Sequence, residues 1–336
     1  MVISGVQQAG QATNANLSDA MRADGQAQTL PYQGGPAPYS SGPYVPEPAY
    51  NASVLPFLPA GPQQGPAGTG DASFDAEVRG TASQAIDLEM MEIAAAVYDP
   101  SVQSVGDWTR LSDAQLAEAG IDPSMLENPD TGFRAGIYTD GDGNYVLGFA
   151  GSNELQDWTG PNFEQGIGWQ NEQYDQAVEL ARLADEAFGD NLVITGHSLG
   201  GGLAATASLA TGNAAVTFNA SGVHDKTIER LGLDPDTARA DAEAGQIRRY
   251  NISGDPLTGA QEDVFGTKWV MPDAPGHEIN LDDPYPAIEG PEWTWNPIEY
   301  GKRVAEHAQD KIERTGELHG QQGVIDALEA QRPWEN

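Results

Sequence analysis

The sequence predicts an α/β fold in which helices cover a mostly parallel sheet. Three observations carry this. Apolar strand-like runs alternate with helical periodicities from about residue 136 to 252, and that order builds parallel sheets joined by crossover helices. A Gly-x-Ser-x-Gly word at Gly196–Gly200 lies between a short apolar strand and a small-residue helix. The 336 residues, 39% of them hydrophobic, suffice for one large α/β domain.

The first 74 residues stand apart, with 10 of the 23 prolines and 10 of the 40 glycines. Proline removes backbone donors and glycine raises the entropy lost on ordering. Residues 1–74 are therefore expected to be a disordered tail, with a short helix near Asn16–Ala23, and residues 75–336 the folded body. The tail carries −3 of the chain's −34 net charge, so the acidity belongs to the body. Tyr32, Tyr39, Tyr44 and Tyr50 recur along the tail and would suit either an inert linker or contacts to a partner.

The body opens with Ile86, Met90, Ile93, Ala94 and Val97 at helical spacing, stopped by Asp99-Pro100. A short helix is expected over Leu111–Ala119. Gly136–Thr139 and Tyr145–Phe149 read as a hairpin around Asp140–Asn144. That loop resembles the first half of a calcium loop, but its glycine comes too early and no glutamate stands at the twelfth position, so it reads as a turn. Glu172–Phe188 is an amphipathic helix and Asn191–Thr195 a strand. Leu199–Ala210 is a helix, Ala215–Phe218 a strand, and helices follow near 225–231 and 235–244. Gln246–Ile252 makes a further strand. A loop-rich stretch leads to helices at Tyr300–Glu313 and Gln321–Glu329.

Composition excludes several function classes. Fifty acidic against 16 basic residues, with a pI near 4.1, argue against nucleic-acid binding and against electrostatic adhesion to anionic lipid. The chain has no cysteine, which removes disulfides, thiolate metal sites and cysteine nucleophiles. No run approaches the ~18 apolar residues of a membrane span. Met1–Val6 lacks a basic leader, so export would need no cleavable signal.

Chemistry concentrates around Ser198. A serine at a sharp strand-to-helix turn projects its hydroxyl above the sheet, and Gly196 and Gly200 let strand and helix approach closely around it. The helix's first amides lack intrahelical partners and its dipole is positive there, so the Leu199 amide is a candidate oxyanion donor. A serine nucleophile needs a base and an acid that orients it. Asp255, in Ser253-Gly254-Asp255-Pro256, follows a strand at its carboxyl end and is the candidate acid. Of five histidines, His197 adjoins the serine and should point away from its hydroxyl, His224 precedes Asp255 in the chain, and His307 sits mid-helix as a solvated residue. His277, beside a strand at 278–281, and His319, in a loop before the terminal helix, remain as bases, with His319 favoured by its place. A second oxyanion donor should leave the hairpin at Gly148–Asn153, where the Ser152 amide is the candidate.

Together Phe149-Ala150-Gly151-Ser152, Asp157-Trp158, Gly196–Gly201, Phe218–Gly222, Gly254-Asp255-Pro256 and His319 resemble the class 3 lipase family of α/β-hydrolases, and within it the bacterial phospholipase-type effectors. The resemblance covers about residues 85–330. It implies a Ser198, Asp255, His319 triad, with Ser152 and Leu199 at the oxyanion hole, and hydrolysis of lipid carboxylic esters without metal or cofactor. Many members carry Arg where this chain has Ala150, so a charge that would brace the loop is missing.

Trp158, Phe163, Ile167 and Trp169 in Asp157–Gln170 would serve as an aromatic lid over acyl chains or as core, and Trp293 and Trp295 likewise. The expected partners are a lipid or phospholipid substrate, with transient membrane contact. Without a cleavable signal, the chain is either exported by a specialised bacterial secretion system or stays in the cytoplasm. The tail would then meet secretion machinery or an inhibitory partner. A small-ester esterase, a thioesterase or acyltransferase, and a non-catalytic interaction protein on the same fold are the alternatives.

Overall fold

The computed structural model describes residues 72–151, 163–258 and 272–335, with 163–171 described as backbone only. The rest of the tail, Ser152 and residues 157–162 of the expected lid lie outside the described residues.

Helices α1 (Phe74–Val78) and α2 (Ile86–Ala96) precede two short strands, β1 (Ser104–Val105) and β2 (Trp108–Arg110). Helix α3 (Asp113–Glu118) starts at a capping box, in which Ser112 and Gln115 satisfy each other's backbone amides. Strand β3 (Glu127–Asn128) pairs with β4 (Phe133–Thr139), which forms the expected hairpin with β5 (Tyr145–Phe149). In its turn the Asp140 carboxylate accepts from the amides of Asp142 at 2.8 Å and Asn144 at 3.2 Å, and from the Asn144 side chain at 2.7 Å. Its oxygens are thus engaged by the loop itself.

Helix α4 (Phe163–Phe188) leads to β6 (Leu192–His197), α5 (Leu199–Thr211) and β7 (Ala215–Phe218). Helices α6 (Asp225–Arg230) and α7 (Pro235–Asp241) precede β8 (Ile247–Ile252) and β9 (His277–Leu281). Helices α8 (Pro297–His319) and α9 (Gln321–Gln331) close the chain. Among the described residues nine strands form one sheet in the order β1-β2-β4-β5-β6-β7-β8-β9, with β3 on β4. From β5 to β9 every pairing is parallel, as the alternating order predicts.

Strand alternation divides the core. Leu147, Ile194 and Ile247 face Leu180, Ala184 and Leu203 of α4 and α5. Val146, Val193 and Tyr250 face Met90, Ile93 and Leu328 of α2 and α9. Burial on both faces explains why the central strands read as continuous apolar runs.

Two elements outrun their sequence reading. The α4 backbone begins at Phe163, so helix occupies residues 163–170 of the expected lid. Helix α8 continues to His319, which was expected in a loop. Arg314 pairs with Asp283 at 2.9 Å, Thr315 Oγ1 donates to the Lys311 carbonyl at 2.8 Å, and the chain turns extended only at Gly320. The strands β1, β2 and β3 were too short to show a period.

A buried ion pair stitches the N-terminal helices to β8. Arg248, 1% exposed, meets Asp87, 0% exposed, through Nε at 3.1 Å and Nη2 at 2.5 Å. Arg248 Nη1 also donates to the Val78 carbonyl, and Tyr250 donates its hydroxyl to Asp87 at 2.6 Å. Burial and then the Asp87 charge push the Tyr250 phenol up. Asp87→Ala would leave a guanidinium buried without its counter-charge. It is expected to cost about 3–5 kcal/mol in denaturant unfolding, and replacing both partners with apolar residues of similar volume should recover most of that.

Candidate active site

The central parallel strand β6 delivers Ser198 to the carboxyl edge of the sheet. Its backbone has φ 61° and ψ −128°, a region that non-glycine residues rarely occupy. The neighbours hold it there. The Ser198 amide donates to the Phe218 carbonyl at 3.0 Å, and its carbonyl accepts from the amides of Gly201 at 3.0 Å and Ser221 at 2.9 Å. A Cβ at Gly196 would meet the Gly200 carbonyl, and one at Gly200 would meet the Phe149 carbonyl. Glycine is therefore required at both positions by the close approach of β5, β6 and α5.

Asp255 lies just past the end of β8. Its amide donates to the Ile252 carbonyl at 3.0 Å, and its Oδ2 accepts from the Thr258 amide at 2.7 Å. The free oxygen, Oδ1, lies 2.6 Å from Nδ1 of His319, whose Nε2 lies 2.9 Å from Ser198 Oγ. The three residues are 2–4% exposed. This chain of contacts calls for the imidazole tautomer protonated at Nδ1, with Nε2 accepting from the serine. His277 lies elsewhere. It starts β9 opposite Arg248, at the amino end of the strands, and pairs with Glu243 at 3.1 Å.

The end of β5 meets the first turn of α5. A Cβ at Gly151 would lie 2.9 Å from the His197 carbonyl and 3.2 Å from the Leu199 amide. The Leu199 amide thus faces the strand exit that leads to Ser152. Ala150 is buried, and its amide donates to the Arg134 carbonyl at 3.0 Å.

Two residues that the sequence reading left without a part hold the His319 segment. His197 turns away from Ser198 Oγ, as expected, and its Nε2 donates to the His319 carbonyl at 2.7 Å. Burial, and secondly the neighbouring His319, lower its pKa to about 3, so it is neutral at ordinary pH. Tyr98, whose hydroxyl lies 3.4 Å from His197 Nδ1, is itself raised to about 12 by burial. Asn219, at φ 41°, donates from Nδ2 to the Leu318 carbonyl at 3.0 Å and accepts at Oδ1 from the Ile252 amide at 3.0 Å. It thereby joins the strand that leads to Asp255 with the helix that carries His319. An Asn at a strand end, where positive φ is tolerated, was the available signal. The remaining histidines play other parts. His224 caps α6 by accepting from the Lys226 amide at 3.2 Å, and His307 is half-buried rather than solvated. Trp293 and Trp295 are 61% and 89% exposed, so neither fills the core.

His197 gives a pH test with a definite sign. Its pKa in the folded chain, about 3, lies below the ~6.5 of a free imidazole. The unfolded chain therefore binds the extra proton first, and the stability that neutral His197 supports is lost as pH falls from about 6.5 toward about 3. His197→Gln should be less stable than wild type at pH 7, and the gap in Tm between them should narrow steadily toward pH 4. A constant gap would mean that the imidazole is not held neutral. Asn219→Ala strands the buried Leu318 carbonyl and the Ile252 amide. It should cost about 1–3 kcal/mol, read by denaturant unfolding.

Residues 89–282 match the Tle-like phospholipase domain. The extracellular phospholipase A1 of Serratia liquefaciens is 46% identical over 259 residues, 76% of this chain and 75% of that protein. Among solved structures, a fungal lipase aligns at 19% identity over 61% of this chain and 82% of its own, with a TM-score of 0.39. A lipase from Rhizopus microsporus var. chinensis aligns at 16% identity over 60% and 75%, with a TM-score of 0.34. The domain match spans more than half of the chain and the Serratia relative three quarters of it, so the chain belongs to the Tle-like phospholipase family, as a lipid-ester hydrolase on an α/β-hydrolase fold.

Proposed function

We propose that the chain is a phospholipase of the A1 type that works through Ser198, His319 and Asp255. The observation that carries this is the buried contact chain from Asp255 Oδ1 through His319 to Ser198 Oγ, at 2.6 and 2.9 Å. The name of the Serratia relative supports the substrate class.

His319 Nε2 takes the Ser198 proton as Oγ attacks the acyl carbonyl carbon. Asp255 keeps Nδ1–H in place and stabilises the imidazolium. The Leu199 amide and, as the sequence reading has it, the Ser152 amide hold the oxyanion, each worth on the order of 10²–10³ in rate. The carbon–oxygen bond to the glycerol breaks, and His319 returns its proton to the leaving oxygen. Water, deprotonated by His319, then attacks the acyl-Ser198 ester. Ser198 recovers its proton and a fatty acid leaves. Every step uses only side chains and amides of this chain. The Serratia relative is described as extracellular. By extension, this chain would act outside the cell that makes it, as an effector against membranes, with its N-terminal tail meeting export machinery or an inhibitory partner.

The test is fatty-acid release from mixed phosphatidylcholine–phosphatidylethanolamine vesicles. Ser198→Ala and His319→Ala should lower kcat by on the order of 10⁴–10⁶, and Asp255→Asn by on the order of 10⁴. His277→Ala should stay within about twofold of wild type, since a pair between exposed groups contributes little. If His277→Ala were the dead variant, the base assignment would fall. A wild type that is inert on phospholipid but cleaves short dissolved esters would transfer the function to small esters.

A further inference from the structure

Large apolar side chains are exposed in one place. Among the described residues, seven large hydrophobics are exposed, and all but Leu233 lie between Trp293 and Ile312. Trp293 and Trp295 pack edge to face, with ring centroids 4.2 Å apart, just ahead of α8. Asn296 caps the helix by accepting from the amides of Ile298 and Glu299, and Pro297 occupies its first turn. Ile298 is 74% and Ile312 68% exposed, and Val304 is exposed as well. Ile298, Ala305, Ile312 and His319 fall seven residues apart on this helix, so they share one face. The exposed apolar stripe therefore ends at the residue that reaches Ser198.

Charge marks the same element. The chain carries −34, yet α8 sets Lys302, Arg303, Lys311 and Arg314 against five acids and is almost neutral. An apolar stripe with flanking charges and a tryptophan pair at its entry has the chemistry of a helix lying in a lipid–water interface. An anionic surface would repel the acidic body, whereas a zwitterionic surface would not.

We propose that the Trp293–Ile312 face is the surface by which the enzyme docks on zwitterionic phospholipid bilayers, bringing the helix that carries His319 to the lipid. This rests on the phospholipase reading. The test separates the two by measuring docking in a Ser198→Ala background, where no hydrolysis occurs. Full-length Ser198→Ala protein should co-sediment with phosphatidylcholine vesicles, and adding Ile298→Glu and Ile312→Glu should weaken that binding at least about tenfold. In the Ser198 enzyme, the same pair should lower the ratio of vesicle hydrolysis to dissolved-ester hydrolysis by a similar factor. Leu233→Glu should change neither. The proposal is overturned if the Ser198→Ala protein does not bind vesicles, or if the glutamate pair leaves binding intact. It is equally overturned if the pair splits a dimer while vesicle binding persists, or if hydrolysis of vesicles and of dissolved ester falls together. If docking behaves as expected but wild type releases no fatty acid, the phospholipase reading fails and the docking surface stands.

Discussion

Much of this molecule follows from holding one residue in an unfavourable backbone conformation. Ser198 at φ 61° and ψ −128° costs of order 1–3 kcal/mol and survives only where its surroundings overdetermine it. Here they do, through a hydrogen bond from the Ser198 amide to the Phe218 carbonyl and a Ser198 carbonyl that accepts from the amides of Gly201 and Ser221. The same requirement brings β5, β6 and α5 so close that a methyl group at Gly196 or Gly200 would strike a backbone carbonyl. Strand β7 supplies the Phe218 carbonyl, and the first turn of α5 and the segment after β7 supply the two amides. The strain is what turns Oγ toward His319 at the sheet edge, where it stays buried.

The other two members of the proposed triad depend on element ends that are fastened to each other. Asp255 stands just after β8, and His319 is the last residue of α8. Leu318 packs beside Gly254 where the two ends meet, and a polar clamp bridges them. Asn219 reaches both the Ile252 amide and the Leu318 carbonyl, and His197 takes the next carbonyl, that of His319. Each clamp is buried, where a hydrogen bond is strong and a lost one is costly. Farther along β8, Arg248 and Asp87 hold the N-terminal helices on the same strand by the same logic. Strand β8 thus carries a polar fastening at each end, and its apolar residues fill the core between them.

Legibility in the sequence followed from how local each constraint is. Gly196–Gly200 between an apolar run and a small-residue run is a local word, and it located the elbow. The parallel strands showed as apolar runs because both of their faces are buried. His319 was favoured for its place, yet as a loop residue. The end of α8 is set by contacts distant in sequence, such as Arg314 with Asp283, and Gly316, a residue that weakens helices, does not end it. Asp87, His197 and Asn219 were passed over for the same reason. Their partners stand 33 to 163 residues away, and nothing in the neighbouring sequence distinguishes a buried, satisfied polar side chain from a solvated one.

Helix α8 unites two demands that pull in opposite directions. Its C-terminal residue must be held at hydrogen-bond distance from Ser198 and Asp255, at 2.9 and 2.6 Å, for the proposed proton transfer. Its remaining length carries exposed isoleucines that gain most by leaving water. Rigid helical geometry reconciles them. Leu318 and His319 are buried and fixed through their carbonyls, and the side chains seven and fourteen residues earlier inherit the same face. The helix runs unbroken from Ile298 to the imidazole. The near-neutral charge of α8 fits this arrangement, because a helix as acidic as the rest of the body would have to bring unpaired carboxylates toward the apolar phase.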